Sequence, residues 1–271
     1  MKRFLFLLGL SAAIQTSAQT INTTIIYERK QNLHRTINND QMKAMTPEFR
    51  TSKQQLLIND TSSLYKNVPE DEAPDPFANN GGTSFRFKMP EVITYKNFNQ
   101  GMLVEARELM DKKFLISDSI KTQAWKLVDE TKTIMGHVCK KAIVKMPQMQ
   151  VSRIVTTTTT SDGNASKTDT TINKTPGAAP KLIEVVAWYA DDIAVPAGPE
   201  SYGGLPGAIL ALDVDNGLTT FVATEIKQGT DASVFKQPAK GKKVTRDEFK
   251  KESMDMLKSM NMGGGGNIRV F

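Results

Sequence analysis

Apolar side chains recur at spacing two along much of this chain, which is the alternation of strands with one face in a core. Ile21 to Arg29, with its β-branched and aromatic residues, predicts a first strand. Phe49 to Ile58 and Ser62 to Lys66 predict the next two, joined as a hairpin by the turn-forming triplet Asn59-Asp60-Thr61. A meander of short strands follows: Phe85 to Met89, Val92 to Tyr95, Met102 to Leu109, Lys113 to Ile116 and Trp125 to Val128. His137 to Met146 and Lys181 to Tyr189 add two longer ones. Ile209 to Val214 and Thr219 to Ile226 flank Asp215-Asn216-Gly217, a hairpin signal. One segment switches to the helical period. From Thr245, with Glu248 three residues on as in a capping box, Phe249, Ser253, Met256, Leu257 and Met260 share one face, predicting a helix over about 245–260. Gly263 to Gly266 ends it, and Ile268 to Phe271 suits a last short strand. The fold class expected is mainly β: a curved antiparallel sheet, or open half-barrel, with a C-terminal helix.

Two stretches break the pattern. Residues from about 68 to 83 combine three prolines, a run of acidic side chains and Gly81-Gly82, which predicts a mobile loop. From about 147 to 180 the chain is rich in Thr, Ser and Lys around Ser161-Asp162-Gly163-Asn164; this is a hairpin signal with almost no apolar face, and predicts a projecting arm. Lys236 to Lys243 reads as a basic Pro/Gly linker.

The N-terminus changes the compartment expected. Met1-Lys2-Arg3, an apolar run from Phe4 to Ile14 and the small residues of Thr16-Ser17-Ala18 form a secretory signal over 1–18, with a mature chain of one β-rich domain over 19–271. That apolar run is short for a membrane anchor, and the mature chain shows no stretch near the ~20 apolar residues of a transmembrane helix. A periplasmic or extracellular protein is expected.

Removing Lys2 and Arg3 lowers the formal charge from +6 to about +4, with the lysines scattered and mixed with acids. A nucleic-acid binder concentrates its charge near aromatics or a motif, so that class is set aside. Cys139 is the one cysteine, so no internal disulfide forms in an oxidising compartment, and stability must come from packing.

From Val185 to Leu210 the chain reads VVAWYADDIAVPAGPESYGGLPGAIL. Ala187-Trp188-Tyr189, Ile193, Val195, Gly198-Pro199, Tyr202, Gly204-Leu205-Pro206-Gly207 and Ile209-Leu210 resemble the signature of the GLPGLI family of secreted Bacteroidota proteins. Ala194 and Ala208 depart from it. The resemblance runs upstream through Trp125-Lys126-Leu127, Ile134, Gly136, Cys139 and Lys141-Ala142, and downstream through Pro238 to Phe249. It implies export and a β-rich fold, in a family without a settled molecular function. Physically, Trp188, Tyr189, Gly198, Pro199, Gly204, Leu205, Pro206 and Gly207 read as architecture: fixed φ at proline and free φ at glycine turn the chain sharply and deliver Leu205, Ile209 and Leu210 to the core. No Gly-x-Gly-x-x-Gly or Lys-Ser/Thr accompanies the glycines, so a phosphate loop is unsupported.

The chain holds only His34 and His137 as histidines, and no Gly-x-Ser-x-Gly, His-Glu-x-x-His or Cys-x-x-Cys. Asp191 and Asp192 are adjacent and begin a turn more readily than they pair. No catalytic residue and no cofactor is assigned. Metal candidates are His137 with Cys139, two apart on one strand, and Met254, Met256, Met260 and Met262, whose thioethers suit Cu(I). The simpler reading makes Cys139 and the methionines core filling. The function expected is therefore a non-catalytic binding or scaffold protein of the periplasm or outer-membrane region, whose partner is an outer-membrane protein or a small apolar ligand; periplasmic copper handling is the alternative.

Overall fold

A computed structural model describes residues 22–68, 92–109, 111–148, 154–159, 167–172, 181–229 and 235–261. The signal segment, most of the loop at 68–83, the strand expected at Phe85 to Met89, Met262 and the strand expected at Ile268 to Phe271 lie outside these residues, as does the Ser161 to Asn164 turn.

The strands are β1 (Thr23–Asn32), β2 (Phe49–Ile58), β3 (Ser62–Asn67), β4 (Val92–Asn97), β5 (Met102–Leu109), β6 (Lys112–Ser119), β7 (Lys126–Ile134), β8 (His137–Pro147), β9 (Ile154–Thr159), β10 (Lys167–Ile172), β11 (Leu182–Ala190), β12 (Ala208–Val214), β13 (Thr219–Gln228) and β14 (Lys242–Thr245). Helices are α1 (Asp40–Ala44) and α2 (Arg246–Asn261). Twelve strands form one open sheet in the order β14-β6-β5-β4-β3-β2-β1-β13-β12-β11-β8-β7, while β9 and β10 make a separate antiparallel pair. The expected fold class holds: mainly β, an open sheet that does not close into a barrel, with a C-terminal helix.

Chain geometry forces this sheet to curl. β6 and β7 are ten strand positions apart, about 48 Å along a sheet with a ~4.8 Å strand spacing. Yet Ser119 ends β6 and Lys126 begins β7. At ~3.6 Å per residue, that connection reaches at most about 25 Å. The two ends of the sheet must therefore approach one another, and residues 120–125 form a strap across the gap.

Cross-strand register places Ile25, Tyr27, Leu56, Tyr65, Val185, Ala187, Leu212 and Phe221 on one inner face. These residues make the main core with Ile193, Ala197, Tyr202 and Leu205, which come from the segment between β11 and β12. The signature thus folds back onto the inner face of the sheet. The opposite face of the β2–β6 region carries a smaller cluster of Leu57, Leu64, Tyr95, Val104 and Leu115, against which Phe235 packs.

α2 covers the inner face at the β14 end, where Phe249 meets Phe114 edge to face at 5.2 Å between centroids and Met256 packs beside Ile116 and Val244. Its capping box forms as expected: the Glu248 backbone N–H donates to Thr245 Oγ1 at 3.2 Å and Thr245 N–H to Glu248 Oε2 at 2.7 Å. Two features differ from the sequence reading. The end of the expected basic linker is β14, the one parallel strand, paired with β6; four residues with one buried side chain leave too little alternation to mark it. α1 has no buried residue, and only its Asn39 N-cap signals it.

Gly207 is where β11 and the returning signature press closest: a Cβ there would stand 1.9 Å from the Ala190 carbonyl oxygen. Gly207→Ala should destabilise the protein by more than about 4 kcal/mol, since a backbone atom must move, whereas Thr245→Ala should cost about 1 kcal/mol by loss of one cap. Urea unfolding of the two variants checks both magnitudes.

Candidate functional site

The inner face carries its chemistry where the signature segment meets β3–β6. Pro199-Glu200-Ser201 forms a tight turn closed by Tyr202 N–H donating to Pro199 O at 3.0 Å, and Glu200 sits at its apex with φ +50. That left-handed conformation is unfavourable for a residue with a Cβ and is held by the surroundings. After it, three successive carbonyls are captured by side chains from the strap and from β4. Gln123 Nε2 donates to Ser201 O at 3.3 Å, Lys96 Nζ to Tyr202 O at 2.6 Å, and Trp125 Nε1 to Gly203 O at 2.9 Å. Tyr27 Oη then donates to Ile209 O at 2.6 Å. Each bond satisfies a carbonyl that an irregular segment cannot pair within itself. Gly204, at φ +80, lets the chain turn against Thr122 of the strap.

Lys96 is only 3% exposed. Burial pushes its ammonium down to about 7, with the Glu200 charge opposing that shift. Glu200 has the complementary environment. Burial is the leading cause that raises its carboxyl, opposed by Arg29 and Arg107, reinforced by Glu105 and opposed again by Lys96. Its side chain nevertheless keeps 46% of its surface accessible. Arg29 Nε lies 3.6 Å from Glu200 Oε1. Tyr65 Oη is buried without a hydrogen-bond partner, and Glu200, Arg29 and Tyr27 are the charged and titratable groups that act on it after burial itself. Toward α2, Glu105 accepts from Arg107 and from Arg246, and Arg246 also binds Asp118 at 2.9 Å.

The residues singled out from the sequence are distributed differently. Gly198, Pro199, Gly204, Leu205, Pro206 and Gly207 lie in the returning segment, whereas Trp188 and Tyr189 lie on β11, at a bulge against β12. Tyr189 is buried in the core. Trp188 is half-buried with Lys132 Nζ 4.3 Å and Lys141 Nζ 5.8 Å from its ring centre. His137 and Cys139 share β8 but are engaged separately: His137 Nδ1 is 2.7 Å from Asp192 Oδ2, and the Cys139 Sγ donates to His137 O at 3.7 Å. Burial, then Asp192, pushes the Cys139 thiol up to about 11, which disfavours the thiolate a metal would need. Asp191 pairs with Lys140. Met254 and Met256 are on α2, which packs on β6 and β14, at the opposite end of the strand order from β8. Met256 packs against the β6 cluster, Met260 falls in the last turn of the helix, and Met262 lies outside the described residues. Among the described residues no group of three or more His, Cys, Asp or Glu side chains is gathered as a metal site.

Sequence reasoning missed Lys96, Tyr65, Arg29 and Glu200. Glu200 alone carried a signal, as the one charged residue between Gly198 and Ala208. Lys96 and Tyr65 lie on strands with apolar residues on both faces, where alternation does not tell which face is inner.

This architecture is a curled open β-sheet whose own glycine-rich segment fills its inner face. Residues 125–211 match the family described as "Protein of unknown function (Porph_ging)", consistent with a GLPGLI-type family. The matched stretch runs from the strap's Trp125 through β7, β8, β11 and the signature into β12, so Lys96, Tyr65 and Arg29 lie outside it. No curated protein matches the chain. Among solved structures it is similar to PNGF-II in a C2 space group, with a TM-score of 0.50 and 16% identity over 85% of this chain and 32% of that one. It also matches PNGF-II in P21, with a TM-score of 0.49 and 16% identity over 85% of this chain and 33% of that one. The chain spans about a third of the PNGF-II chain, and the C2 likeness is one of fold.

The buried ammonium of Lys96 makes stability depend on pH. Its folded value lies below the ordinary 10.5, so between about 7 and 10.5 the unfolded chain binds more protons, and this group's contribution rises with pH across that window. Wild type should therefore gain stability relative to Lys96→Met as pH goes from 7 to 9, measured by urea unfolding of both proteins.

Proposed function

We propose that this protein is an exported, non-catalytic binding or scaffold module of the periplasm or outer-membrane region. One observation carries the reading: the signature segment spends its geometry on closing the half-shell, with Gln123, Lys96 and Trp125 bound to its carbonyls. Glu200 keeps its carboxyl partly open to solvent beside Arg29, where a polar ligand could meet it. The three-part N-terminal signal supports export.

Expressed with its full N-terminus in a Bacteroidota host, the protein should be recovered outside the cytoplasm with Gln19 as its first residue, as read by N-terminal sequencing of cell fractions. Recovery from the cytoplasm with Met1 retained would defeat the export reading.

A further inference from the structure

We propose that the loop carrying α1 docks the protein on an anionic membrane surface, with Met42, Met45 and Phe49 entering the lipid interface and Lys30 meeting the headgroup charge. The inference rests on the binding-module reading and names that module's partner.

The connection between β1 and β2 is a built loop. Leu33 N–H donates to Glu48 O at 2.7 Å, and Nε2 of His34 lies 2.7 Å from Thr46 O, so the two limbs are tied at their base. Asn39 Oδ1 caps α1, accepting from Gln41 N–H at 2.9 Å and Met42 N–H at 3.1 Å. Arg35 anchors the loop to the β12–β13 turn through the carbonyls of Asp215 and Asn216. A loop held in this way ordinarily packs an apolar face, yet Ile37 is buried and α1 buries nothing. Met42 and Met45, three apart and so on one side of the helical turn, are 46% and 82% exposed, and Phe49 is 41% exposed. Among the described residues Met45 is the most exposed large apolar side chain.

Charge and area select the occupant. Lys30 Nζ lies over the Phe49 ring, 4.1 Å from its centre, and has no ion-pair partner among the described residues. Lys43 holds Asp40 at 3.7 Å, which leaves that acid neutralised. In and beside the loop Lys30, Arg35, Lys43 and Arg50 outnumber Asp40, Glu48 and Asp215. Apolar tips flanked by cations suit the boundary between anionic headgroups and acyl chains. A second copy of this loop would bring like charges together. A stable protein interface covers about 800 Å² on each partner, far more than three part-exposed side chains on a protruding loop supply, whereas a lipid surface requires no matched area. Among the described residues no helix is long and apolar enough to cross a membrane, and the proposed contact is peripheral.

The test is co-sedimentation of the mature chain with vesicles of phosphatidylcholine alone and of phosphatidylcholine mixed equally with phosphatidylglycerol. Binding to the anionic vesicles at least tenfold tighter than to the neutral ones is expected. Replacing Met42, Met45 and Phe49 together by Ser should abolish it with the melting temperature unchanged, since none of the three is buried, and Lys30→Glu should weaken it about tenfold. Met45→Cys carrying an environment-sensitive dye gives a second readout, because Cys139 is buried and stays unlabelled: its emission should shift to the blue with anionic vesicles. No vesicle binding, undiminished binding by the triple variant, or an unmoved dye overturns the proposal. A shift produced by solubilised cell-envelope proteins but not by pure lipid assigns the loop to a protein partner and overturns it equally. Each of these results leaves the export reading standing if Gln19 is the N-terminus outside the cytoplasm, so the two readings fail separately.

Discussion

Everything on the inner face follows from a connection that is too short. A sheet of twelve strands has to join its second strand in spatial order to its twelfth through residues 120–125, and a flat sheet would put those strands at nearly twice the reach of the chain. Curling solves this and creates a problem in turn: an inner face lined by Tyr27, Leu56, Val185, Leu212 and Phe221 must be filled. The signature segment fills it. Irregular backbone cannot be buried there unless its carbonyls find donors, and the strap that forces the curl also supplies two of them, Gln123 and Trp125.

Lys96 supplies the third, and at a cost that the strap's neutral donors do not incur. Desolvation drives its ammonium toward neutrality, while the nearby Glu200 is driven the same way from the acid side. Both shifts have the same leading cause, burial. Charged groups in such a place are retained at some expense in stability. That expense, together with the positive φ at Glu200, concentrates strain and perturbed titration at one point of an otherwise ordinary β core.

Much of the fold was legible because it is local. Alternation marked β2 and β5 to the residue and β3 to within one, and Asp215-Asn216-Gly217 marked the β12–β13 turn, where all three residues take positive φ. The capping box at Thr245 and Glu248 located α2. β14 and α1 escaped because each is short and nearly unburied, so neither periodicity nor composition set it apart. Gly204 and Gly207 face Thr122 and Ala190 too closely for a side chain. Cys139 looked like half of a metal pair on a strand, but packing put it in the core and left His137 to Asp192.

By itself the sequence determined most of the strands, α2, the sharp turns of the signature and the N-terminal signal pattern, because each depends on residues within about ten positions of one another. Only the tertiary structure decided which face of each strand is inner, and so that Lys96 is buried and Tyr65 lacks a partner. Those outcomes depend on Lys96 meeting Tyr202 across 106 residues and on Tyr65 pairing with Leu56 on the inner face of the sheet. Such meetings are set by how far the sheet curls. No pattern along the chain encodes that curl except the shortness of the strap, which means nothing until the strand order is known.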